Sequence, residues 1–183
     1  MSASDTKSRL LEAAGRVVLS RGAAGLTLDA VAEEAGLSKG GLLYHYGSKE
    51  ALLAAMVQHL VDVTEDRISA HRAADDDPGS WTRGYLQACV VEELAENDPA
   101  GRLAIALLAA GASAPELIAS IRERQGEWRR RLADDGIDPV TAMIVRLAAD
   151  GLWMSDLFGL PVLSSAERRA VLERLDSLTR AAR

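Results

Sequence analysis

Apolar positions recur every three to four residues along nearly the whole chain, and no period-two alternation competes with them, so the pattern predicts helices and no strands. Leu10, Leu11, Ala14, Val17 and Val18 form the inner stripe of a first helix that Gly22 suits as a stop. Thr27 can cap a short helix from Leu28 to Ala35, closed by Gly36, and Ser38 and Ser48 can cap the next two. A long helix follows from Lys49 to about Arg72, with Leu52, Leu53, Met56, Leu60 and Val63 inward. The stretch DDDPGS at 75–80 then reads as a linker, and Trp81 to about Asn97 as a fifth helix. Later helix starts fall at Asp98-Pro99, Ala114-Pro115 and Asp138-Pro139, where proline suits the first helical position. SSAE at 164–167 is a capping box for the last helix. The expectation is an all-α chain of about nine helices.

Two of these helices carry more apolar surface than one core needs. From Val140 to Phe158 the helix is apolar almost all round, with Arg146 and Asp150 marking one narrow polar strip. On that reading Arg146→Ala should matter little unless the strip lies in a seam between subunits. The last helix adds Val171, Leu172, Leu175 and Leu178. Together with Met143, Ile144, Leu147, Gly151 and Met154 they predict a two-fold interface of four helices in a homodimer. Filling of the monomer core is the alternative.

Composition narrows the class. The chain has 183 residues, 48% of them hydrophobic and 26% charged, as in soluble globular proteins. No apolar run is long enough for a membrane span, and MSASDTKSRLLEAAGRVV lacks a basic leader followed by a long apolar segment. The one cysteine, Cys89, allows no internal disulfide and fits a reducing cytoplasm. Net charge is −6, but unevenly spread. Up to residue 50, Lys7, Arg9, Arg16, Arg21, Lys39 and Lys49 balance Asp5, Glu12, Asp29, Glu33, Glu34 and Glu50, so the surplus falls in 51–183. A neutral module can touch a polyanion while an acidic body stays away from it.

That module has a recognisable organisation. Residues 27–49 read TLDAVAEEAGLSKGGLLYHYGSK: two short helices joined by a turn with Gly36 at its left-handed position, Leu37 in the corner and Ser38 as the next cap. This is a helix-turn-helix, whose second helix enters the DNA major groove by its N-terminal residues. Gly40 and Gly41 sit there, at a cost of roughly 1 kcal/mol each against alanine in a helix interior and less in a first turn. Bare backbone at that edge can approach phosphates and base rims.

The stretch RLLEAAGRVVLSRGAAGLTLDAVAEEAGLS at 9–38, followed by SKGGLLYHYGSKEALL at 38–53, resembles the DNA-binding segment of the tetracycline-repressor (TetR) family of bacterial regulators. The resemblance implies an N-terminal three-helix DNA-binding domain over 5–50 and a helical ligand-binding and dimerisation domain over 51–183. It implies that Thr27 and Ser38 hold phosphates and that Lys39, Gly40, Gly41 and Leu43 face the groove. Tyr44 and His45 would touch phosphates or bases, Lys49 would clamp backbone phosphate, and Leu42 would face inward. Tyr46 stands where the family commonly has phenylalanine, and Gly41 and Leu43 replace polar residues frequent on the reading edge. The partners implied are double-stranded DNA with a palindromic operator, a second copy of the chain and a small effector; the activity implied is that of a repressor released by that effector.

The effector pocket is expected among the middle helices, lined by Met56, His59, Leu60, Val63, Trp81, Tyr85, Cys89, Leu103, Leu107, Trp128 and Trp153. That largely apolar set suits an apolar ligand. A ligand-independent dimerisation or protein-interaction body is the alternative. Enzyme chemistry finds no foothold: Cys89 has no Cys/His motif beside it, His45, His59 and His71 lack zinc-ligand spacing, and no Walker loop or G-x-S-x-G elbow occurs. Glu92-Glu93 and Asp75 to Asp77 read as solvated charge. No cofactor or metal is expected.

Overall fold

A computed structural model describes residues 3–22, 25–89, 117–160 and 162–180. Among them the regular structure is helical: α1 Ala3–Arg21, α2 Leu28–Ala35, α3 Lys39–His45, α4 Lys49–Ala74, α5 Ser80–Cys89, α6 Leu117–Ala133, α7 Pro139–Leu157 and α8 Ser165–Leu178. The expected starts at Asp98-Pro99 and Ala114-Pro115, and the continuation of the fifth helix to Asn97, lie outside the described residues. Two compact units emerge, Met1–Val61 with Pro99–Arg122 and Asp62–Asp98 with Glu123–Arg183.

In the first unit, Leu10, Ala13, Ala14, Val17 and Val18 of α1 pack on Ala30, Val31, Ala32 and Ala35 of α2, on Leu42 of α3 and on Leu52, Leu53 and Met56 of α4. Small residues on α2 let α1 lie close across it. Boundaries follow from local chemistry. Thr27 Oγ1 accepts the Ala30 amide at 3.1 Å, and Gly36 leaves α2 in the left-handed region with φ 64°. The Leu37 amide returns to Ala32 O at 2.9 Å, the Ser38 hydroxyl takes the Gly41 amide at 3.1 Å, and Ser48 takes that of Ala51 at 3.1 Å. Tyr46 is buried where a phenylalanine ring would pack, and burial raises its phenol above the ordinary value.

The second unit holds residues 62–74 of α4, with α5, α7, α8 and α6 from Glu123 on. Helix α7 packs on α5 and on α8. Asp138 caps α7, taking the Thr141 amide at 2.8 Å, and Ser164 with Glu167 closes the capping box on α8.

Two expectations are corrected here. In DDDPGS, Asp76 and Asp77 are exposed as solvated charge, but Asp75 and Gly79 take part in a buried anchor. The Arg83 guanidinium, 1% exposed, donates to both Asp75 oxygens at 2.7 and 2.9 Å, to Pro78 O at 3.0 Å and to Thr179 O at 3.1 Å. Gly79 must be glycine, since its φ is +85° and a Cβ would lie 2.2 Å from Thr179 O. Its amide donates to Asp135 O at 2.7 Å, while the Asp135 carboxylate takes the Trp81 and Thr82 amides at 3.0 and 2.8 Å, capping α5. The second correction concerns Arg146, which is not on an idle polar strip. It is only 9% exposed and lies over the rings of Tyr85 and Trp128.

Candidate functional site

The helix-turn-helix is built from the turn outward. Leu42 of α3 is fully buried, which fixes the helix's rotation and turns its other residues out. Tyr44 is 85% exposed, Leu43 and Gly40 are exposed, and Gly41, His45 and Lys49 are half-buried. The His45 ring meets that of Tyr44 edge-on, centroids 5.1 Å apart. Thr27 and Ser38, both exposed, use their oxygens to accept helix amides, so each hydroxyl proton is free to donate elsewhere.

Gly40 has no internal justification, while a side chain on Gly41 would crowd the Ser38 cap. Neither has positive φ, and a Cβ on Gly40 would meet nothing nearer than the Ser38 hydroxyl at 4.0 Å. On Gly41 it would meet the same atom at 3.3 Å. Neither the fold's backbone geometry nor its packing demands glycine at position 40, although helix propensity favours alanine.

Charge at this surface is largely tied back. Lys39 Nζ holds Asp29 of α2 at 2.9 Å instead of reaching forward, and Arg16 holds Glu34 at 2.6 Å. Both pairs are exposed and worth about 0.2–1 kcal/mol, so a polyanion can displace the acidic partner. The Glu50 carboxyl at the start of α4 is lowered by backbone and Ser48 hydrogen bonds.

Of the expected pocket residues, Met56 is fully buried in the first unit's core, Leu60 packs against that core, and His59 is exposed. Leu103 and Leu107 lie outside the described residues. In the second unit Val63 and Trp153 are half-buried, while Trp81, Tyr85 and Trp128 come together. Trp81 stacks on Tyr85 with centroids 5.5 Å apart, and Trp128 meets Tyr85 edge-on at 5.4 Å. The Arg146 guanidinium carbon lies 5.4 and 5.8 Å from the Tyr85 and Trp128 ring centres. The Tyr85 hydroxyl donates to Asp150 at 2.6 Å, and the Trp128 indole N–H donates to Glu65, which also takes Arg131 at 3.0 Å.

Burial and the Asp150 charge push the Tyr85 phenol far up, and burial pushes the Cys89 thiol up to about 12. Cys89 is therefore a protonated thiol at neutral pH and a poor nucleophile. The contributions of Arg146, Asp150 and Glu65 were missed from sequence. The available signal was a charged i,i+4 pair kept on an otherwise apolar helix.

At the proposed subunit surface, Met143, Ile144, Gly151 and Met154 are exposed and Leu147 is 64% exposed. Val171, Leu172 and Leu178 are half-buried, whereas Leu175 is buried within its own unit and is not free to face a partner.

Comparison with known proteins bears on both halves. A family model described as bacterial regulatory proteins, tetR family, matches residues 10–56, and one described as tetracyclin repressor-like, C-terminal domain, matches residues 79–180. The HTH-type transcriptional regulator LmrA of Bacillus subtilis is 30% identical over 131 residues, 70% of this chain and 69% of that one. The regulator BetI of Paraburkholderia xenovorans is 27% identical over 183 residues, covering 93% and 91%. Among solved structures, a TetR-family regulator from Rhodococcus sp. superposes with a TM-score of 0.71 at 22% identity, covering 97% of this chain and all of that one. The multidrug binding protein EbrR in complex with ethidium gives 0.69 at 25% identity, covering 95% and 99%.

Proposed function

The chain belongs to the tetracycline-repressor family of bacterial DNA-binding transcriptional regulators, and from that premise we propose that it is a homodimeric repressor released from a palindromic operator by a small molecule. Gly40 and Gly41 carry the reading of the DNA edge. Both are costly in a helix and stand in its N-terminal turn, and for Gly40, exposed and unneeded by packing, the benefit lies in what approaches from outside. Thr27, Ser38, Tyr44, His45 and Lys49 supply phosphate contacts around that edge, and Lys39 joins them by exchanging Asp29 for a phosphate. Leu43 offers an apolar contact of the kind that suits a thymine methyl.

One α3 presents few base-reading side chains. Two copies on half-sites about 34–36 Å apart, or a multiple of that, supply the missing specificity. The exposed apolar face of α7 supports that pairing. Effector response draws support from the aromatic cluster of the second unit and from EbrR, which is similar over nearly its whole length and is described as multidrug binding.

The experiment is selection of bound fragments from the source genome, followed by binding to the recovered operator at several salt concentrations. Palindromic fragments bound by a dimer, with affinity lost when both Gly40 and Gly41 are replaced by valine, are expected. A strictly monomeric complex, or unaltered affinity in the double variant, overturns the reading. Operator retention across a broad panel of small molecules would leave a ligand-independent dimerisation body in its place.

A further inference from the structure

Among the described residues of the second unit, three buried side-chain nitrogens have no hydrogen-bond partner: His71 Nε2, Trp81 Nε1 and Arg146 Nε. The Trp81 indole N–H, on a residue 2% exposed, has no acceptor, and neither has the Arg146 Nε–H. The nearby carboxylates are partly engaged. Asp150 Oδ1 takes the Tyr85 hydroxyl at 2.6 Å and its Oδ2 forms an ion pair with Arg146 Nε at 3.7 Å, beyond hydrogen-bond reach, while Glu65 serves Trp128 and Arg131. Buried donors without partners are disfavoured strongly enough that native structures rarely keep them.

The Trp81 and Arg146 nitrogens share one property. An indole N–H and a guanidinium can only donate, so whatever completes them must bring acceptor oxygens. Arg146 carries a permanent charge among Tyr85 and Trp128 rings, where an anion is held more strongly than in water. A guanidinium also matches the planar fork of a carboxylate.

We propose that this cluster is the recognition site for a small organic carboxylate with an apolar or aromatic body. Its carboxylate accepts from Trp81 Nε1 and Arg146, and its body lies against the aromatic rings. The proposal rests on the effector-responsive reading above but changes the ligand class: an acid rather than a neutral apolar molecule.

The test uses the full chain with matched probes: phenylacetate, 4-phenylbutyrate and hexanoate against 2-phenylethanol, 4-phenylbutan-1-ol and hexan-1-ol. Calorimetric affinity and operator retention are measured separately. At least one acid is expected to bind roughly tenfold or more tighter than its alcohol, the factor a charge-assisted hydrogen bond supplies. Trp81→Phe keeps a ring and removes the N–H, so it should cost the acid roughly tenfold and the alcohol less, because a neutral hydroxyl accepts a weaker hydrogen bond than a carboxylate. Arg146→Met should do the same, and melting curves of both variants confirm that they fold.

Alcohols binding as well as acids, acid affinity indifferent to Trp81→Phe, or no acid binding at millimolar concentration overturns the proposal. The two readings separate cleanly. Acids that bind without releasing operator uphold the site and remove the effector role, whereas alcohols that bind and release operator uphold the effector role and remove the carboxylate site.

Discussion

Gly40 isolates one trade at the scale of a single residue. Its backbone is ordinary helix and the space beside it is open, so Gly40→Ala should leave the fold intact. Stability should rise by up to about 1 kcal/mol, less if the first turn frays. Operator affinity should fall at the same time, because a methyl now stands where backbone meets DNA. Melting temperature and operator affinity moving in opposite directions is the expected signature; a variant both more stable and equally tight removes Gly40 from the interface. Lys49 tests the electrostatic part. Lys49→Ala should weaken binding on every sequence and lower the salt slope by about one unit. A slope equal to that of the wild type takes Lys49 out of the phosphate set.

Among the helical elements, the entry to α5 shows how much order a turn can hold. The α4–α5 segment, the start of α5 and the residue closing α8 all meet at Arg83. The Arg83 guanidinium beside Asp75 holds that carboxyl at about 2, below its ordinary 3.8. A lowered carboxyl stabilises the fold fully above its ordinary value, and the contribution disappears as pH falls from about 4 through about 2. Asp75→Asn should therefore destabilise the protein at pH 7 by on the order of 3 kcal/mol, since it leaves a buried guanidinium short of its counter-charge. The difference from wild type should shrink progressively below pH 4. Denaturant melts at pH 7 and at pH 3 check it; a gap independent of pH assigns the loss to packing. Periodicity could not have found this anchor. DDDPGS has the composition of a solvated linker, and only the return of Thr179 to Arg83 closes the buried guanidinium that Asp75 serves.

For the molecule as a whole, α7 is the deciding element. Ala142, Val145, Ala149 and Leu152 face inward and are buried, while Val140, Met143, Ile144 and Leu147 are left uncovered. A second apolar face of this kind marks an interaction surface. Leu147→Glu should leave the monomer's helix content and melting temperature nearly unaltered, yet shift sedimentation toward the monomer and abolish specific operator binding. A dimer that persists with this charge places the seam elsewhere. Leu175→Ala is the contrasting variant, because that side chain is already buried in its own unit. It should destabilise the fold by about 2–5 kcal/mol.

The caps, the turn and the apolar stripes of the first unit were legible in the chain because their causes are local. A hydroxyl three residues before an amide, or a glycine after the last apolar position, acts within one turn of helix. Thr27, Gly36, Ser38, Asp138 and the Ser164–Glu167 pair all do what their spacing demands. Burial of charge is not local. Whether Arg146 meets water or two aromatic rings depends on residues some sixty positions back at Tyr85 and on Trp128 of another helix, and Arg83 depends on Thr179, 96 positions away. Only the tertiary structure brings those groups into contact, and there desolvation turns an unremarkable arginine into an anchor in one place and an unsatisfied donor in another.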